Sequence, residues 1–202
     1  MPNFVQRTSE PVGGNLYYTR TANGGYNRCI LGNSNGRIYP GFVLPNCTGY
    51  AWGRYMECQG LTTCNLSTGN AKNWYHNTGD GYARSLTPYL GAVICWSGTN
   101  GHVAIVEKIF SNTDIIWSES NWSGTHANGR YWRRFRGNPA TYASSILNFQ
   151  GYIMPQTSWD GEDPVPDPDP DPGDPGDWDE YASYFEAWML RRRKKKGGII
   201  IL

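Results

Sequence analysis

Hydrophobic and polar positions along the chain change period near its middle. From Cys47 the run CTGYAWGRYMEC places Tyr50, Ala51, Tyr55 and Cys58 at three- and four-residue steps, the spacing of an α-helix. The Gly, Pro and Asn of the preceding YPGFVLPNC set a helix start at the cysteine. AKNWY (71–75) reads as a second short helix. Beyond it come short apolar runs bounded by turn residues. GAVICW (91–96), HVAIVEKIF (102–110) and DIIWSESNW (114–122) read as strands, with a final strand near 146–153. Helices first and strands afterwards predict an α+β domain, its N-terminal helices packed on an antiparallel sheet. The residues ahead of Cys47, rich in Gly and Asn, read as loop.

The composition breaks at residue 160. DGEDPVPDPDPDPGDPGD alternates Pro with Asp, which excludes helix and sheet interior and predicts an extended spacer. Residues 1–159 are therefore the candidate catalytic domain and 160–177 an Asp/Pro-rich linker. Residues 178–202 form a third segment, in which Trp178, Tyr181, Phe185, Trp188 and Met189 recur at helical spacing. Acids lie in its first turn and bases in its last, Gly197–Gly198 stops it, and a hydrophobic tail closes the chain. Such a helix either docks on the main domain or another copy, or anchors the chain to a membrane or wall surface through its basic end.

Charge follows the same division. Through Trp159 there are 12 Lys/Arg against 6 Asp/Glu, from Asp160 to Glu186 11 acids and no base, and from Arg191 to Lys196 six bases, for a net +1. The cationic main body suits a polyanionic partner. Among such partners the acidic spacer argues against nucleic acid, and none is expected. No stretch approaches the roughly 20 apolar residues that span a bilayer. MPNFVQRTSEPVGGN has no apolar run and does not read as a signal peptide.

Five cysteines leave at least one thiol unpaired. Cys29 and Cys95 read as small buried apolar residues. Cys58 and Cys64 lack a matching pair for zinc, and their bridging is left open. Cys47 is different, because a helix N-terminus favours a thiolate and offers backbone N–H groups to an oxyanion. A thiol nucleophile also needs a base, and the base an orienting group.

The hairpin around Asn112–Thr113 supplies both. Centred there, a regular antiparallel pair has partner numbers summing to about 225. His102 then lies opposite Ser123 with Asn121 diagonal to it. Period-2 alternation puts Glu119, Asn121 and Ser123 on the histidine's face, and a one-residue slip would undo the arrangement.

PNCTGYAWGR (45–54), GAVICWSG (91–98), GHVAIVEKI (101–109) and SESNW (118–122) together resemble the CHAP family, cysteine, histidine-dependent amidohydrolases/peptidases of bacteriophage lysins and bacterial autolysins. The segments fall in the family's order and cover roughly residues 10–155. The resemblance implies a papain-like α+β fold whose cysteine heads a helix packed on the sheet. It also implies Cys47 as nucleophile, His102 as general base, Glu119 as the group orienting the imidazole, and Asn121 as a supporting polar residue. Some members carry an Asp-rich calcium loop upstream of the cysteine, but residues 21–41 contain no carboxylate, so neither calcium nor any other cofactor is expected. No recognisable wall-binding module is present.

Candidate substrate contacts are Asn46, Trp122 and Tyr131. Trp122, Trp96 and Tyr131 either wall a groove for glycan or stem peptide or pack structurally. Trp52 reads as core, His76 as a loop residue, and His126 as a loop residue or a cleft-liner. Arg130, Arg133, Arg134 and Arg136 form a basic cluster, read as a solvated face or a contact for phosphate-rich wall polymer.

The leading expectation is a peptidoglycan hydrolase that cuts either the N-acetylmuramoyl–L-alanine amide, slightly favoured, or a stem or cross-bridge peptide bond. The alternative is a non-catalytic phage structural or wall-binding protein retaining the fold. Peptidoglycan is the expected partner. Teichoic acid or a membrane surface is a further one, through Arg191, Arg192, Arg193, Lys194, Lys195 and Lys196. The lysin-like motifs without a leader point to a phage-encoded protein acting at the host wall, after holin-type release or as part of the virion.

Overall fold

Asn46 opens helix α1 (Cys47–Gln59). Its own backbone is extended, and its side-chain Oδ1 accepts the Gly49 N–H at 2.8 Å. This cap satisfies one of the donors that the first turn of a helix leaves without a partner. Gly60 stops the helix in the left-handed conformation (φ 66°), where a side chain would be strained. The computed structural model describes residues 3–32, 39–121 and 130–159. The spacer and C-terminal helix expected at 160–202 lie outside the described residues, as do Trp122 and His126.

Six strands follow α1: β1 (Arg84–Ser85), β2 (Val93–Ser97), β3 (His102–Ser111), β4 (Asp114–Ser120), β5 (Trp132–Gly137) and β6 (Asn148–Ile153). They form one antiparallel sheet in the order β1-β6-β2-β3-β4-β5. The fold is α+β, as the pattern predicts, with the cysteine-headed helix packed on β3 and β4. The expected helix at 71–75 is a single 3-10 turn, Ala71–Asn73. Two strands, β1 and β5, carry no clear signature in the pattern.

Alternation along the strands builds a core on each face. Val93, Cys95, Val103 and Ile105 face Ala51, Trp52, Tyr55 and Met56 of α1. Ile94, Trp96, Ala104, Val106, Trp117 and Phe135 close on Tyr142 and Leu147 on the opposite side. A third cluster, Tyr18, Phe42, Val43, Leu44, Tyr50 and Trp132, covers the outer side of the helix. The described residues ahead of Cys47 include two 3-10 turns, Leu16–Tyr18 and Thr21–Asn23, in otherwise irregular chain, yet contribute fully buried side chains. They explain why every residue from Thr48 to Met56 is buried, where an ordinary surface helix buries one stripe. The approach is close enough that a Cβ on Gly53 would lie 2.5 Å from the Tyr17 carbonyl oxygen.

The β3–β4 register departs from the simple hairpin. Ser111 pairs with Asp114, which fits a sum of 225, but bulges between Ile109 and Ser111 and between Val106 and Lys108 reduce it to 223 by Ile105↔Ser118. Each bulge inserts one residue and would flip the faces alone. Two restore the parity, so His102 and Glu119 still share a face.

Candidate active site

The first residue of α1 and the first residue of β3 meet at the end of the sheet. Cys47 comes from the helix face; the alternation that carries Ala104 and Val106 puts His102 on the other face, beside Trp96 (ring centroids 5.6 Å apart) and Tyr142 (6.3 Å). Gly101 makes the turn into β3 with φ 67°, and a Cβ there would lie 2.4 Å from the Lys72 backbone nitrogen. That backbone packing fixes where the strand, and hence the imidazole, begins. On the helix side, the Asn46 N–H donates to Ser120 Oγ at 3.1 Å, tying the start of α1 to the end of β4.

The imidazole is 2% exposed and has a partner on each side. Nε2 lies 3.0 Å from Glu119 Oε2, and the Cys47 side chain hydrogen-bonds to the ring, which leaves Nδ1 for the thiol. Burial pushes the His102 pKa down, but the charge of Glu119 and the hydrogen bonds from Cys47 and Glu119 outweigh it and raise the value from 6.5 to about 9. The imidazolium is therefore the stable form at neutral pH. Continuing the Ile105↔Ser118 register places Asn121 opposite His102, half-buried just past β4.

Helix geometry completes the arrangement. The Gly49 N–H goes to the Asn46 side chain and the Tyr50 N–H to the Asn46 carbonyl, so the Cys47 and Thr48 N–H groups have no acceptor within the helix. They point out of the helix end that carries the thiol. All five cysteines are free. Burial raises the thiols of Cys29 and Cys95, and those of Cys58 and Cys64 to about 12, which disfavours the thiolate in all four.

The other expected residues sort differently. Asn46 is 1% exposed and its Oδ1 is engaged by Gly49 N–H and the Thr48 hydroxyl, so it contributes to the site as the helix cap. Tyr131 receives the Ser120 hydroxyl on its carbonyl, donates its N–H to Glu10, and packs on the Tyr18–Trp132 cluster. Trp96 is fully buried and donates to the Pro139 carbonyl at 2.7 Å, a core residue behind His102. Trp52 is core as expected, and His76 is a surface residue beside Gln150.

The basic cluster requires a correction. Arg136 is exposed and paired with Asp114, and Arg134 reaches Gln6, but Arg133 is 7% exposed and bound to Glu119. A solvated face describes only part of it, because Arg133, Arg134 and Arg136 lie in strand β5 and alternation turns Arg133 inward. Glu119 was legible from strand parity, but its partners Arg133 and Tyr142 escaped the sequence pattern; the one available signal was a pair of arginines flanked by Trp132 and Phe135.

An α-helix thus presents a cysteine to a histidine on an antiparallel sheet. Residues 37–121 match the CHAP domain model. Among curated proteins it is similar to the staphylococcal secretory antigen SsaA of Staphylococcus epidermidis, 33% identical over 129 residues that cover 58% of this chain and 48% of that protein. It is also similar to N-acetylmuramoyl-L-alanine amidase sle1 of the same species, 33% identical over 45% of this chain and 28% of that one. The probable autolysin SsaALP of Staphylococcus aureus is 32% identical over 72% of this chain and 51% of its own length. The chain spans about half the length of these curated relatives, or less. A solved structure of N-acetylmuramoyl-L-alanine amidase from Staphylococcus aureus matches with a TM-score of 0.39 and 27% identity, over 55% of this chain and 31% of that one.

Proposed function

We propose that the protein is a peptidoglycan hydrolase that cuts an amide bond with Cys47 as nucleophile. The observation that carries this reading is the hydrogen-bonded chain from Cys47 at the head of α1 through His102 to buried Glu119. The Cys47 sulfur, its proton held on His102, attacks the amide carbonyl, and N–H groups at the start of α1 receive the oxyanion. Collapse breaks the C–N bond as His102 protonates the departing amine, leaving a thioester on Cys47. Water then adds to the thioester while His102 takes its proton, and the thiol is regenerated as the carboxylic acid leaves. Glu119 holds the imidazole in its tautomer and orientation, and Asn121 supports it from the end of β4.

The N-acetylmuramoyl–L-alanine amide is the favoured bond, supported by the printed activity of one relative; a stem or cross-bridge peptide bond needs the same groups. The basic run 191–196 is proposed as a contact for anionic wall polymer, on charge alone. A phage-encoded origin rests on the lysin-like motifs, whereas the named relatives are staphylococcal proteins.

The test is release of soluble muropeptides from purified sacculi. Cys47→Ala is expected to lower the rate on the order of 1,000-fold or more, with folding intact. Equal rates for the variant and the unaltered protein would refute the mechanism. Mass spectrometry of the products identifies the bond, since cleavage of the muramoyl amide exposes the amine of the first stem residue.

A further inference from the structure

Glu119 is completely buried, and its two oxygens have different partners. Oε2 accepts from His102 Nε2 at 3.0 Å and from the Trp117 indole at 2.9 Å. Oε1 accepts from Arg133 Nε at 2.7 Å and from the Tyr142 hydroxyl at 3.0 Å, and the second guanidinium nitrogen lies 2.6 Å away as an ion pair. Arg133 sits directly opposite Glu119 in the β4–β5 pairing, and it also donates to the Tyr142 oxygen at 2.8 Å. A buried cation is costly unless it is paired, and this one is paired with the carboxylate that orients the histidine. Burial opposes the guanidinium's charge, but Glu119 and Tyr142 more than reverse it; burial and Glu119 likewise keep Tyr142 a protonated phenol.

We infer that Arg133, with Tyr142 beside it, is a positioning residue of the site, holding the Glu119 carboxylate in the rotation that gives Oε2 to His102 and tempering its charge. The inference rests on the Cys47–His102 reading above. Its force lies in the charge count. Glu119 and Arg133 sum to zero, so the guanidinium tempers the pull that the carboxylate exerts on the His102 ring charge. The planar fork of arginine adds a geometric constraint that a point charge lacks, because Nε and a terminal nitrogen both reach Oε1. Among the described residues, the titratable or charged groups facing the ring are Cys47 from α1, Glu119 from β4 and Tyr142 from the turn after β5. Arg133 lies behind Glu119, and β2 contributes the neutral Trp96.

The experiment is an NMR titration of the His102 ring alongside steady-state kinetics. Arg133→Gln unmasks the carboxylate and is expected to move the His102 midpoint up by about one unit. The turnover number kcat should fall about 10- to 100-fold with KM unchanged, since the carboxylate loses its fixed rotation and Arg133 does not touch substrate. Arg133→Lys restores charge without the fork, so the midpoint should return toward that of the unaltered protein while kcat recovers only in part. Tyr142→Phe, a milder change, should move the midpoint the same way by less, and it serves if Arg133→Gln does not fold. A midpoint unmoved or lowered in the folded variant would overturn the inference. The titration uses no substrate, so failure here is distinguishable from full activity of Cys47→Ala, which would overturn the hydrolase reading itself.

Discussion

Two buried carboxylates on neighbouring strands show what separates a structural ion pair from a poised one. Glu107 on β3 and Glu119 on β4 are both completely buried, and each is held by an arginine and a hydroxyl. On the helix face, Glu107 takes Arg54 Nε at 2.9 Å and a second guanidinium nitrogen at 2.8 Å, the Ser118 hydroxyl at 2.6 Å, and the Arg7 backbone N–H at 2.8 Å. Every one of those donors belongs to the framework, and the network continues through Tyr50 to Trp132 and through Glu57 to Arg7 and Tyr18. On the opposite face, Glu119 repeats the device with Arg133 and Tyr142 but turns its second oxygen to His102. The same chemistry therefore staples α1 to the sheet in one place and orients a candidate base in the other. The difference is one titratable partner.

That contrast breaks cleanly under paired substitution. Glu107→Gln and Glu119→Gln should each cost about 3 kcal/mol or more in urea unfolding, because each strands a buried guanidinium. Only Glu119→Gln should also lower kcat per folded molecule, by about 100-fold, as the imidazole loses its orienting charge. Equal kcat losses in the two variants would erase the distinction. A smaller effect sharpens the helix side of the comparison. Asn46→Ala removes the cap of α1 and should cost about 1 kcal/mol of stability. The measurement is again a denaturation midpoint, and no change there would mean that the Asn46–Gly49 bond does not secure the helix start.

Much of this site is written in local patterns. The helix start at Cys47 follows from turn residues giving way to three- and four-residue spacing, and the strands bearing His102 and Glu119 follow from short apolar runs. Their common face survives because the two bulges in β3 cancel in parity, although the hairpin alone sets Ser123 opposite His102 where the shifted register sets Asn121. Arg133 was hidden because WRRFRG does not alternate apolar with polar. An inward arginine is stabilised by a partner 14 positions away, and no local pattern reports that. Tyr18, Phe42 and Leu44 were hidden for a related reason: they are buried from irregular segments, where periodicity has no meaning.

Glu119 lies 3.0 Å from His102 Nε2 and favours the imidazolium beside Cys47. With the pKa raised from 6.5 to about 9, the charged histidine contributes stability that is fully present below pH 6.5 and is lost as pH rises through 9. Glu119→Gln should flatten that dependence. The direct measurement is the NMR titration of the His102 ring in the unaltered protein. A midpoint near pH 9 is the predicted result. A midpoint at or below 6.5, with a neutral imidazole facing Cys47 at neutral pH, would contradict the account.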